Sequence, residues 1–264
     1  MELLKILPVV FLIFLIFFFL IKPRKRKTRE QPPIDVERKL LENYVSFYAK
    51  LNNQEQQEFL KRLRIFLSKI KIIGVKTKIE DLDKVYIASA AIIPIFNFKN
   101  WEYQNLNQVL VYPHSFSSDF ELKGEGRNTI GMVGNGPMEN TMILSLPDLR
   151  SGFSNQNSTS NTAIHEFVHL LDKSDGKTDG LPVIFIEHQY AVPWLDYIHK
   201  NMLAIQNGKS DINPYALTNR AEFFAVVSEY FFKQPELMSQ KHPELFKILE
   251  IIFKTSTQRK DSQK

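Results

Sequence analysis

The chain has 264 residues, 44% of them apolar, with 21 Phe and no Cys. That is material for one generous domain or two small ones, and it excludes disulfides and thiolate metal sites. The formal charge of +5 is concentrated in one place: Lys22, Arg24, Lys25, Arg26, Lys27 and Arg29 fall within eight residues, and from residue 30 onward 27 Lys and Arg face 28 Asp and Glu. A near-neutral body of this kind excludes a nucleic-acid footprint.

Residues 3–21 are apolar except for Lys5, and 19 residues are enough to cross a hydrocarbon core of about 30 Å. No small-x-small cleavage pattern follows, so a retained transmembrane anchor is expected in preference to a cleaved signal peptide. The basic cluster behind it places the body of the chain in the cytoplasm by the positive-inside rule, giving a single-pass cell-membrane protein. Residues 22–34 then read as a basic juxtamembrane linker, 35–258 as one folded domain and 259–264 as a polar tail.

Within that domain, residues 35–48 are amphipathic. Asn52 or Asn53 starts a second helix running to about Lys69, with Phe59, Leu63, Phe66 and Leu67 on one side. Residues 70–75, broken at Gly74, read as a short strand or a helix exit. Asp81 is the expected cap of a helix reaching Ile95. Residues 108–112 are strand-like and stop at Pro113. Gly124, Gly126, Gly134 and Gly136 mark hairpin turns. Residues 141–146 form the last strand before a polar loop at 151–161. That strand is either an edge that could pair with a substrate or an ordinary member of a sheet. Residues 183–206 read as helical, with a kink or restart at Pro193.

The chemistry is carried by His165-Glu166-x-x-His169. Two histidines four residues apart lie on nearly one face of a helix. Both imidazoles can reach one tetrahedral Zn²⁺, with Glu166 beside them as base for a metal-bound water. Ile164, Phe167, Val168, Leu170 and Leu171 clothe the remaining sides. Asp172 projects from much the same face, either to orient an imidazole or a nearby cation, or as a helix-end carboxylate with a structural partner. Two Asp-Gly pairs in residues 173–182 are turn signals that lack the spacing of a calcium loop. Further on, Asn219 and Glu222 form a capping-box pattern that opens a helix ending before Pro235. Glu222 is then the capping partner, or the third member of a His₂Glu zinc set that leaves one position open. Glu229, two turns later, is either solvated or a supporting carboxylate. His114, His188, His199 and His242 follow no ligand spacing.

Three stretches together carry a resemblance: residues 165–172, the Asp-Gly loop ending at Pro182, and Ala221-Glu-Phe-Phe-Ala-Val-x-Ser-Glu-x-Phe-Phe232. With Val111-Tyr-Pro113, Gln234-Pro-Glu-Leu237 and Pro243-Glu-Leu-Phe246, the chain resembles the Mlc titration factor A family of zinc peptidases over residues 35–255. That family is similar around its zinc to anthrax lethal factor. The resemblance implies His165, His169 and Glu222 as ligands of one Zn²⁺ per chain, Glu166 as catalytic base, and Tyr215 near the scissile carbonyl. It departs from the family pattern in its N-terminus.

The expected fold is α+β and zincin-like, a small mixed sheet with several helices preceded by one transmembrane helix. The expected function is a membrane-anchored zinc metallopeptidase that hydrolyses peptide bonds through a zinc-bound water. Its expected partners are a peptide or protein substrate, the membrane through the N-terminal helix, and a cytoplasmic regulatory protein, with no nucleic acid. The alternative is a membrane-tethered binding protein that sequesters such a regulator, with hydrolysis weak or incidental.

Overall fold

The structure is a computed structural model that describes residues 34–99, 101–116, 130–134, 138–182, 185–186 and 188–254. Two helices, α1 (Ile34–Tyr44) and α2 (Ser46–Ala49), lead into α3 (Asn53–Lys69). The Asn52 side chain accepts from the backbone N–H of Gln54 and Glu55, while the Glu55 carboxylate returns to Asn52 N, so a complete capping box fixes the start of α3. Its apolar side, Phe59, Leu60, Leu63, Phe66 and Leu67, is buried as its periodicity predicts. Glu37 on α1 is fully buried and stays on α3 through Arg64, 2.6 Å away.

Strand β1 (Lys71–Gly74) is followed by α4 (Asp81–Ile95) and strand β2 (Gln108–Tyr112). β1 and β2 pair in parallel, so α4 is the crossover that parallel strands require. The cap of α4 is Glu80 rather than Asp81. Ala88, Ala90 and Ala91 are fully buried, and their small side chains let neighbouring helices approach closely. Two further strands, β3 (Gly131–Val133) and β4 (Thr141–Ser145), complete a sheet of order β1-β2-β4-β3, with β4 parallel to β2 and β3 antiparallel to β4. The short strand β3 has no counterpart in the sequence reading. β4 lies between two partners, so of the two alternatives left open by the sequence it is the ordinary member of the sheet; among the described residues the edge beside it is β3.

Alternation along the strands divides the apolar residues between two faces. Val109, Val111, Met142 and Leu144 join the main core, while Tyr112 and Ile143 form a smaller cluster with Phe116. The chain then enters α5 (Leu146–Ser154), with Pro147 in its first turn. The sequence reading had placed a strand end and a loop there. Beyond it lie α6 (Thr162–Asp172), α7 (His188–Gln206), α8 (Arg220–Lys233), α9 (Pro235–Lys241) and α10 (Pro243–Lys254). α6 packs on α4 and on α8. Pro193 sits inside α7 without ending it.

The mixed α+β class and the small sheet agree with the sequence. The localisation expected from it, a single-pass membrane protein with a cytoplasmic catalytic domain, is corrected: among the described residues no helix is long and apolar enough to cross a membrane. The 19-residue α7 is interrupted by Asp196, His199 and Lys200, and the 17-residue α3 is polar on one side. The apolar run at 3–21, on which that expectation rested, lies outside the described residues, as do Gly124, Gly126, Gly136 and the tail at 259–264.

Candidate metal centre

α6 starts at Asn161, whose side-chain oxygen accepts from Ile164 N. Ile164, Phe167, Val168, Leu170 and Leu171 are buried, and the Phe167 ring packs against Phe66 and Tyr103 at centroid distances of 5.8 and 5.2 Å. Burying those side chains costs the helix its freedom to rotate. A single polar strip remains, and His165, Glu166 and His169 line a cleft of about 600 Å³.

The helix α8 brings the other half. Asn219 caps it by accepting from Glu222 N at 2.9 Å. The carboxylate of Glu222 does not return to the cap, as a capping box would have it. It turns to the histidines: Glu222 Oε2 lies 2.9 Å from His165 Nε2 and 3.3 Å from His169 Nε2, and the two Nε2 atoms are 3.0 Å apart. Three potential ligand atoms thus converge from two helices, and this group could hold one metal ion. On its far side the His165 ring meets Glu229, with Nδ1 2.7 Å from Oε1. Glu229 is buried, which removes the solvated alternative.

Electrostatics agree with a cation at this point. Burial alone would lower the pKa of His165, but the hydrogen bonds to Glu222 and Glu229 and the nearby charge of Glu166 raise it strongly. Burial raises Glu222, and its bonds to the two imidazoles outweigh this and leave it well below the usual carboxylate range. Three carboxylates around two imidazoles favour positive charge between them. Glu166, outside the triangle and 6% exposed, is raised by burial, against the lowering influence of the histidines.

Tyr215 stands on a short 3₁₀ turn, Pro214–Leu217, where Asn213 accepts from its backbone N–H. It is 54% exposed, lines the cleft, and its ring centroid is 6.0 Å from that of His165. The structure therefore brings His165, Glu166, His169, Tyr215 and Glu222 to one cleft. Asp172 takes the second of the two roles that the sequence leaves open, a helix-end carboxylate with a structural partner: its Oδ2 accepts from Gly180 N at 2.8 Å. Burial pushes its carboxyl up to about 6 despite that bond. Asp172 Oδ1 and His169 Nδ1 are both buried without a hydrogen-bond partner among the described residues.

Two glycines press on the site; Gly131 is not singled out in the sequence, and Gly180 is read there only as part of an Asp-Gly turn. Gly131 on β3 lies against the motif helix so closely that a Cβ there would be 2.6 Å from Glu166 Oε1 and 2.7 Å from Thr162 Cγ2. Gly180, in the second Asp-Gly pair, has φ +75° and would drive a Cβ into the Arg220 carbonyl at the start of α8. Its own carbonyl accepts from Trp194 Nε1. The turn residues Asp-Gly did signal a left-handed position, but not that it presses on the helix bearing Glu222. Gly180→Ala is expected to destabilise the protein by about 2 kcal/mol, read as a fall of about 4–8 °C in the melting temperature. Gly176→Ala, also at positive φ but with nothing within 4 Å, should lose distinctly less. Equal losses at the two positions would show that contact with α8 contributes nothing.

Two helices that present a His-Glu-x-x-His strip and a facing glutamate define a metallopeptidase-type site. The chain belongs to the family described as glucose-regulated metallo-peptidase M90, whose model matches residues 20–254. It is 28% identical over 227 residues to the Mlc titration factor A of Pectobacterium atrosepticum, covering 80% of this chain and 83% of that protein. The corresponding protein of Salmonella paratyphi B is 30% identical over 219 residues, covering 76% and 80%. An uncharacterized protein of Synechocystis is 26% identical over 220 residues, covering 80% of each.

Proposed function

We propose that this chain is a zinc-dependent peptidase in which His165, His169 and Glu222 hold the metal and Glu166 is the general base. The observation that carries it is the spacing of the three ligand atoms, 2.9, 3.0 and 3.3 Å. Bonds of about 2.0–2.1 Å at tetrahedral angles set ligand atoms about 3.3 Å apart, so the donors present fit Zn²⁺ with little adjustment and leave a fourth position open. A bound zinc ion supplies Lewis acidity, drawing electron density from an attacking water and from the substrate carbonyl.

The protein's own groups do the rest. Glu166 accepts the proton of the attacking water and passes it to the leaving amine; its burial, which raises its proton affinity, suits it to that task. Tyr215 donates its hydroxyl hydrogen to the oxyanion that develops on the substrate. β3 lines the cleft, pairs with β4 along one edge and has no strand on its other edge among the described residues. An extended peptide can add to that edge, and its backbone is then held beside Glu166 without reading side chains.

The full chain is expected to hold one zinc ion and to cleave members of an unbiased peptide library, and the double variant His165→Ala/Glu222→Ala to do neither. Full metal content in the double variant would sink the assignment of ligands. A second reading is favoured by the relatives' name: like the protein called Mlc titration factor A, this chain would capture a regulator. Glu166 weighs against capture alone, because binding needs no base in the cleft.

A further inference from the structure

His165 is held from behind by a group that the peptidase motif does not include. Glu229 follows Glu222 by seven residues on α8, two turns along nearly the same face. Its side chain is 8% exposed, and each oxygen has one partner. Oε1 meets His165 Nδ1 at 2.7 Å, and Oε2 accepts from the backbone N–H of Asn161 at 2.5 Å. Nδ1 is thereby tied to a carboxylate behind the ring, and Nε2 is the nitrogen turned towards Glu222 and His169, the side on which a metal would be bound.

Asn161 is in turn immobilised on three sides. Its Oδ1 caps α6 through Ile164 N, and its Nδ2 donates to the Gly152 carbonyl at 3.1 Å. That same carbonyl accepts from Lys233 Nζ at 2.6 Å, one turn beyond Glu229 on α8. Gly152 leaves no slack, since a Cβ there would lie 2.9 Å from Asn161 Cγ. The end of α5, the cap of α6 and α8 therefore meet around Asn161, which holds one oxygen of the buried Glu229 carboxylate.

We propose that Glu229 is the positioning residue of the metal centre: by bridging Asn161 N–H and the His165 Nδ1 it fixes the angle of the His165 ring, and so sets the affinity for zinc. The inference rests on the metal centre proposed above, and it adds a requirement that the three ligands do not contain. A purely structural carboxylate would affect folding stability. A positioning one must also affect metal affinity, out of proportion to any loss of stability.

The test uses the full chain, with zinc affinity measured by chelator competition and folding stability by thermal melting. Glu229→Ala is expected to weaken zinc binding by about 10–100-fold. Glu229→Gln keeps an oxygen for Nδ1 but turns an amide N–H₂ on the Asn161 N–H, so it should fall between Ala and the parent; it decides the matter if the Ala variant does not fold. Asp211→Asn serves as the control for general loss of stability. It breaks the bonds of Asp211 with Lys241, His242 and Tyr230, the last of them next to Glu229, so a second control, Glu37→Gln, which weakens the bond of Glu37 to Arg64 between α1 and α3, should leave zinc affinity unchanged. Zinc affinity within about twofold of the parent in both folded Glu229 variants would overturn the proposal. If His165→Ala also binds zinc like the parent, the metal centre itself has been assigned wrongly, and the two failures are thereby told apart.

Discussion

Glu166→Gln is expected to lower kcat for peptide hydrolysis by about 10³-fold while leaving bound metal at the parent level. The two effects separate because of where Glu166 stands. The proposed ligands are His165, His169 and Glu222, the group among the described residues that could hold a metal ion, so an amide at 166 removes no donor. The amide has the shape of the carboxylate and stays in the cleft, but it cannot take a proton from water. The same variant separates hydrolysis from capture: a regulator bound by the fold would still be bound. Cleavage at the parent rate by Glu166→Gln would eliminate the proposed base, and with it the mechanism.

Gly131→Ala is expected to lower kcat by about 10²-fold, again with metal content unchanged. The added methyl would meet Glu166 Oε1 at 2.6 Å, Glu166 Cγ at 2.8 Å and Thr162 Cγ2 at 2.7 Å. Thr162 opens α6 and is held by the helix, so the glutamate side chain must move. A shift of about 1 Å in a reacting group costs on the order of 10²-fold in rate. Because β3 is the edge strand beside the cleft among the described residues, KM for peptides of several residues should rise, whereas a short chromogenic substrate should show the loss in kcat alone. A variant with parental kinetics would show that Glu166 and β3 have room between them.

Much of this site was legible before any coordinates, and for physical reasons. The spacing of His165 and His169 is a helical spacing, and the apolar residues interleaved with it left no other strip to expose. Asn219 before Ala221-Glu-Phe-Phe marked a helix start, because an Asx side chain competes for the free N–H groups of a first turn. The choice for Glu222 between capping and ligation was not legible. Both uses need the same residue at the same position, and only the packing of α6 on α8 selects one. β3 was missed because three residues with a glycine carry no alternation; the strand exists through pairing with β4. Asn161 looked like the end of a polar loop, and nothing in its neighbours indicates that its backbone N–H reaches a residue 68 positions away. The localisation inferred from the first residues depended on a stretch outside the described structure, and no helix within it supports a span.

The two halves of the metal centre lie far apart along the chain: His165 and Glu222 are separated by 57 residues, His165 and Glu229 by 64. At about 5–20 residues per second, the ribosome adds Glu222 roughly 3–11 s after His165. Throughout that interval the growing polypeptide carries both histidines and the base but lacks the carboxylates that close the pocket. In the proposed peptidase the ligand set is complete only when α8 docks on α6, so a chain that has not yet reached Glu222 would lack the third ligand and the means of cutting its neighbours.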